Sequence, residues 1–181
     1  MNKLKTLYLT GYRSFEIGVF QEKDPKIQVI KNVLKRELQQ YVENGLEWVL
    51  TSGNLGVELW GSEVVSELKS EYPDLKLGII FPFEEFGSQW NETNKMKLQT
   101  VKQLADYVDA TSHQPYKAPD QLRNHTQFLL EHTGGTLMIY DKEFPGKLEF
   151  FVKSVERFSE KKPYVIQMIT MDDLQNSIES L

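Results

Sequence analysis

The sequence predicts an α/β protein, built as a three-layer sandwich with a mainly parallel sheet and helices on both faces. Three observations carry that expectation. Six short apolar runs alternate along the chain with segments of helical periodicity. The runs are nearly continuous in apolar residues, as strands covered on both faces are. The segments between them are long enough to carry the chain back to the start of the next parallel strand.

The strand candidates are LKTLYLT (4–10), LEWVLTS (46–52), LKLGIIF (75–81), ADYVDATS (105–112), GTLMIYD (135–141) and YVIQMIT (164–170). The helical segments are 25–44, 57–71, 88–104, 118–132 and 146–160. In 25–44, Ile27, Ile30, Val33, Leu34, Leu38, Tyr41 and Val42 recur at three- and four-residue steps. Asp24 is the candidate N-cap, Pro25 suits a first turn, and Asn44-Gly45 supplies the stop. In 57–71, Val57, Val64, Val65 and Leu68 mark the buried stripe, and Tyr72-Pro73 ends the segment. The crossovers are expected to be right-handed. Ligands of such sheets bind beyond the carboxyl ends of the strands, near the switch in strand order.

Composition narrows the function classes. The chain has 181 residues, 40% hydrophobic and 26% charged, which suits one globular domain spanning 1–181. No apolar run of about 18 residues occurs, so no membrane span is expected. The apolar run near the N-terminus is too short for a signal peptide. The absence of cysteine excludes disulfides, thiolate catalysis and thiolate-bound zinc, and fits a cytoplasmic protein. A net charge of −5 lacks the basic footprint of a duplex nucleic-acid binder. His113, His125 and His132 show no metal-binding spacing and read as structural or surface residues, so no metal is expected. No Ser–His–Asp constellation can be assembled, and no G-x-S-x-G elbow is present.

The chemistry is sought at the strand ends. After the first strand comes Thr10-Gly11-Tyr12-Arg13-Ser14, where glycine permits close backbone approach and Arg13 offers a fork for phosphate or carboxylate. After the second comes Ser52-Gly53-Asn54-Leu55-Gly56-Val57-Glu58. A glycine-rich turn feeding a helix N-terminus favours an anion. Two sharper readings of that turn fail. The G-x-G-x-x-G fingerprint is absent. Gly56 and Gly61 have the P-loop separation, but Ser62-Glu63 stands where Lys-Ser/Thr is required. Glu58 suits the helix dipole by itself; functionally it would accept ribose hydroxyls or act as a general acid/base. Trp60 reads as packing ahead of ligand stacking. Gly61, inside the helix, implies something packed closely against it. After the third strand, Pro82, Phe83, Phe86 and Trp90 form an aromatic loop able to wall a pocket or to cover the core. After the fifth, Asp141 is a polar contact or a loop cap.

Together, TLYLTGYRS, TSGNLGVELW, IIFPFEEFGSQW and LMIYDKEFPGKLEFF resemble the YpsA family of Firmicutes, in order across nearly the whole chain. That family lies in the SLOG superfamily of Rossmann-like proteins, with the DNA-processing protein DprA and the LOG phosphoribohydrolases. The resemblance implies a pocket for a nucleotide-derived ligand at the first two strand ends. It would use Gly11, Arg13, Ser52, Gly53, Gly56 and Glu58, with Tyr12, Asn54, Pro82, Trp90 and Asp141 as further candidates. It also implies a role in bacterial cell division. The LOG motif P-G-G-x-G-T-x-x-E is not reproduced. The turn after the second strand has no double glycine, and Glu58 stands closer to Gly56 than the motif's glutamate stands to its last glycine.

The leading expectation is therefore a binding module. It senses a nucleotide-like small molecule, needs no cofactor, and acts through a protein partner, with its oligomeric state open. The second is a nucleotide-processing hydrolase cleaving an N-glycosidic or phosphate bond, with Glu58 as general acid/base and Arg13 holding phosphate. The third is single-stranded nucleic-acid binding by stacking on Tyr12, Phe83 and Trp90, against which the net charge of −5 counts.

Overall fold

A computed structural model describes residues 4–179. Residues 1–3, the head of the segment expected not to be a signal peptide, and residues 180–181 lie outside the described residues. The strands are β1 (Thr6–Gly11), β2 (Trp48–Thr51), β3 (Lys76–Phe81), β4 (Tyr107–Ala110), β5 (Gly135–Ile139) and β6 (Val165–Ile169). The helices are α1 (Pro25–Glu43), α2 (Val57–Leu68), α3 (Glu92–Leu104), α4 (Asp120–Glu131), α5 (Glu149–Lys161) and α6 (Met171–Glu179). A short 3-10 turn, Ser14–Ile17, follows β1.

All six strands join one sheet in the order β4-β3-β2-β1-β5-β6, and every neighbouring pair is parallel. This is the Rossmann-like α/β arrangement expected from the alternation of runs. Both faces are covered. Leu7 and Leu9 of β1 sit in one core with Ile30, Val33 and Leu34 of α1 and Val64 and Leu68 of α2. Tyr8, one residue out of step, points the other way. It joins Leu50, Ile80 and Leu129 of α4, and its ring meets Phe151 of α5 edge-on at 5.3 Å. The period-two geometry of a strand makes this division. It also explains why the runs read as continuously apolar.

The caps fall largely where the residue types asked. Asp24 Oδ1 accepts the Lys26 N–H at 2.9 Å, Pro25 opens α1, and Asn44 closes it before Gly45 at φ 106°. Gly61 lies on α2 with no room for a methyl group: a Cβ there would stand 2.2 Å from Leu9 Cδ2. The expected close packing partner is thus a strand side chain. The segment expected from 88 starts as helix only at Glu92. Asn91 caps it from its side chain, and Gly87 at φ 82° turns the chain just before. The helix expected to run to 71 ends at Leu68, with Lys69 as its C-cap. The helix α6 answers to no segment of the periodic pattern recognised in the sequence.

The strand order also locates the switch. The chain lays β1 through β4 outward in one direction, then returns to the other side of β1 to place β5 and β6. The carboxyl ends of β1 and β5 are where connections depart in opposite directions, and such a divergence leaves a crevice. Here Tyr12 fills it. The Tyr12 hydroxyl accepts the Asp141 N–H at 2.9 Å and lies 2.8 Å from the Phe144 carbonyl and 3.1 Å from that of Asp141.

Candidate functional site

The loops after β1 and β2 are held backbone to backbone. Gly56 precedes α2 at φ 100°, and a Cβ added there would lie 2.5 Å from Ser14 N and 2.6 Å from Tyr12 O. The Val57 N–H donates to the Tyr12 carbonyl at 3.1 Å. Gly53, at φ 80°, faces the Phe81 ring, which a Cβ would approach to 2.5 Å. Gly11 is pressed between Val57 and the Ile139 carbonyl, each 2.8 Å from an added Cβ. The glycines singled out in the sequence therefore bring this protein's own elements together. The corner they build sets the N-terminus of α2 beside the β1 loop.

Behind that corner is a buried polar network centred on Glu58, which is 1% exposed. Its carboxylate accepts three hydrogen bonds: from Ser52 N–H at 2.6 Å, Asn54 Nδ2 at 2.9 Å and Thr10 Oγ1 at 3.0 Å. Ser52 Oγ continues the network to the Tyr8 hydroxyl at 2.8 Å and His125 Nε2 at 3.2 Å. His125 Nε2 also lies 2.8 Å from the Ile80 carbonyl, an obligate acceptor, so this nitrogen carries the proton. Burial pushes the His125 pKa down to about 4, leaving the ring neutral near neutral pH. The Tyr8 hydroxyl is held protonated, first by burial and then by the negative charge of Glu58.

Arg13 stands apart from this satisfied set. Its backbone N–H donates to Glu16 Oε1 at 2.7 Å, which fixes the turn. Its guanidinium Nη1 is buried and has no hydrogen-bond partner, the one such side-chain nitrogen or oxygen among the described residues. The positive charge is close enough to the Tyr8 hydroxyl to act against the rise in its pKa. A buried charged donor left unsatisfied costs more than a neutral one, so an anionic acceptor is the natural complement. Beside the corner, a cavity of about 730 Å³ is lined by Ser14, Phe15, Gly56, Leu59, Trp60 and Asn94, among others. Trp60 is nonetheless 92% covered, which agrees with a packing role.

Arg13, Ser52, Asn54, Gly56 and Glu58 are thus gathered at one place, with Gly53 at its edge against Phe81. Pro82 follows β3 and is buried. Trp90 stands farther out in the same aromatic cluster as Phe81, edge-on to Phe86 at 5.4 Å, with Phe86 stacked on Phe81 at 5.4 Å. Asp141 is on the far side of Tyr12. Its Oδ1 accepts the Glu143 N–H at 3.0 Å and its Oδ2 accepts the Met171 N–H, first in α6, at 3.1 Å. That carboxylate caps a helix. Sequence reasoning did not name Tyr8, Thr10 or His125 as part of this network. Period two places Tyr8 and Thr10 on one face together, a usable sign; nothing in the spacing ties His125 to Ser52. Among the described residues no group of three His, Asp or Glu is placed to hold a metal, and no helix is long and apolar enough to cross a membrane.

Comparison with known proteins agrees with the motifs at these strand ends. The family model described as "YspA SLOG family" matches residues 7–174. A UPF0398 protein of Enterococcus faecalis is 63% identical over 178 residues, covering 98% of this chain and 99% of the relative. One from Leuconostoc citreum is 49% identical over 173 residues, with 96% and 92% covered. One from Lacticaseibacillus casei is 44% identical over 177 residues, with 98% and 93% covered.

Proposed function

The chain belongs to the YpsA SLOG family, and on that premise we propose that it is a cytoplasmic sensor that binds a nucleotide-derived anion at the carboxyl ends of β1 and β2. It passes its state of occupancy to a protein partner, in bacterial cell division. The observation that supports the ligand most is the unpaired Nη1 of Arg13, a residue whose backbone packs against Gly56 at the N-terminus of α2. A phosphate there would satisfy the guanidinium and sit at the positive end of α2. The cavity lined by Phe15, Trp60 and Asn94 has room for the remainder of a nucleotide. Binding is preferred to hydrolysis because Glu58 already holds three donors.

Calorimetric titration with ADP-ribose and a panel of nucleoside mono- and diphosphates tests the reading. Binding by at least one member is expected, and Arg13→Gln should weaken it about tenfold or more, the worth of a charge-assisted hydrogen bond. No heat with any member, together with an unmoved melting temperature, would sink it. Turnover of any panel member that disappears in Glu58→Gln would favour the hydrolase instead.

A further inference from the structure

The groove between α4 and α5 contrasts with the rest of the molecule in charge. The protein carries a net charge of −5, yet the residues lining this groove include Arg123, Arg157, Lys161 and Lys162 and no carboxylate. Arg123, Arg157 and Lys161 are exposed, and none of them forms an ion pair among the described residues. Of the acids of α5, Glu149 pairs with Lys153 at 3.4 Å and Glu156 with Lys142 at 2.7 Å, while Glu160 lies outside the groove's lining. Within the lining itself the four cations therefore face no carboxylate.

The same groove is apolar along its length. Leu130 is buried at its floor and Phe158 half-buried, with Lys162 over that ring at 5.7 Å. On its rim Phe150 is 77% exposed and Leu122 45% exposed. An exposed phenylalanine and leucine within a ring of cations favour an occupant with apolar anchors and negative flanks. The cleft, about 480 Å³, runs between two packed helices, as grooves that take a short amphipathic segment do.

We propose that the α4–α5 groove is the docking surface for an acidic segment of a protein partner, anchored by leucine or phenylalanine side chains. This rests on the partner half of the proposed function and is independent of the ligand half. A single-stranded nucleic acid suits the groove less well. Its phosphates would continue past the groove onto an acidic surface, and repulsion there acts over a screening length of about 8 Å.

Fluorescence anisotropy with a labelled peptide of about twelve residues, glutamates interspersed with Leu and Phe at three- and four-residue spacing, tests the surface. Binding to the whole chain is expected, weakening as salt rises. Arg123→Glu with Arg157→Glu should weaken it at least about tenfold, and Phe150→Ala should weaken it without altering the salt dependence. Lys23→Glu, an exposed charge reversal elsewhere, should leave it unchanged. The variants all alter exposed positions, and circular dichroism checks that each keeps the fold. Arg13→Gln should bind the peptide as the parent does, so loss of the nucleotide site and loss of the groove read out separately. No peptide binding at low salt, equal binding by the double reversal, tighter binding of an oligothymidine of equal length, or self-association through this groove would each overturn the proposal.

Discussion

At Gly56, one backbone conformation decides how two loops meet. Its φ of 100° is one that side chains with a Cβ rarely adopt, and the space a methyl would fill is already taken by the backbone of Tyr12, Arg13 and Ser14. Gly56→Ala is expected to destabilise the protein by about 3 kcal/mol, measured by urea unfolding. A loss under about 1 kcal/mol would mean that the loops can separate without consequence. His125 is the titrating residue of the site. Its folded pKa, about 4, lies below the ordinary value of 6.5, so the unfolded chain takes up the proton first. The stability it permits is complete above pH about 6.5 and is lost as the pH falls towards about 4. His125→Gln should flatten that part of the stability–pH curve relative to the parent. Parallel curves would remove His125 from the acid response. Gly53, Gly56, Arg13 and Glu58 were all legible from the spacing at the strand ends. What the spacing did not reveal is that Glu58 faces inward to three donors while Arg13 Nη1 has none.

Among the elements, the six strands and five of the helices were legible because both periodicities repeat over enough residues to be counted. The helix α6 was not, since it lies beyond the last strand and buries no residue fully. A local sign existed. Thr170 and Asp173 form a reciprocal cap, with Thr170 N–H donating to Asp173 Oδ2 at 2.9 Å and Asp173 N–H to Thr170 Oγ1 at 3.2 Å. The second support is Asp141, which reaches the same helix start from the β5 loop. Asp141→Ala should therefore loosen α6 first, costing about 1 kcal/mol and raising amide exchange in residues 171–179 ahead of the sheet. Ligand binding abolished with α6 exchange unchanged would instead place Asp141 in the site.

Over the whole molecule, function depends on which strand ends lie side by side, and that is a property of strand order. Placing β1 between β2 and β5 makes the β1 loop neighbour to two others. Tyr12 ties it to the β5 loop, while Arg13 turns to the β2 corner. Because the proposed ligand would bind only this assembled arrangement, it should stabilise the folded state by about 2.7 kcal/mol at a hundredfold excess over its Kd. Thermal shift should show a rise in melting temperature that Arg13→Gln cuts to about half or less, the effect of a tenfold weaker Kd at the same ligand concentration; an equal rise in that variant would put the ligand elsewhere.

The sequence by itself determined the layered α/β class, the caps of α1, the residues at the strand ends and the family, because these are written in local periodicity and ordered motifs. Only the tertiary structure decided the partner of each polar group. It brought His125 of α4 to Ser52, turned Asp141 into a helix cap, and left one nitrogen of Arg13 without an acceptor. It also aligned three cations from two helices, and a fourth just past the end of α5, along one apolar groove. Such meetings join residues tens of positions apart, and packing geometry rather than chain spacing fixes the distance between them.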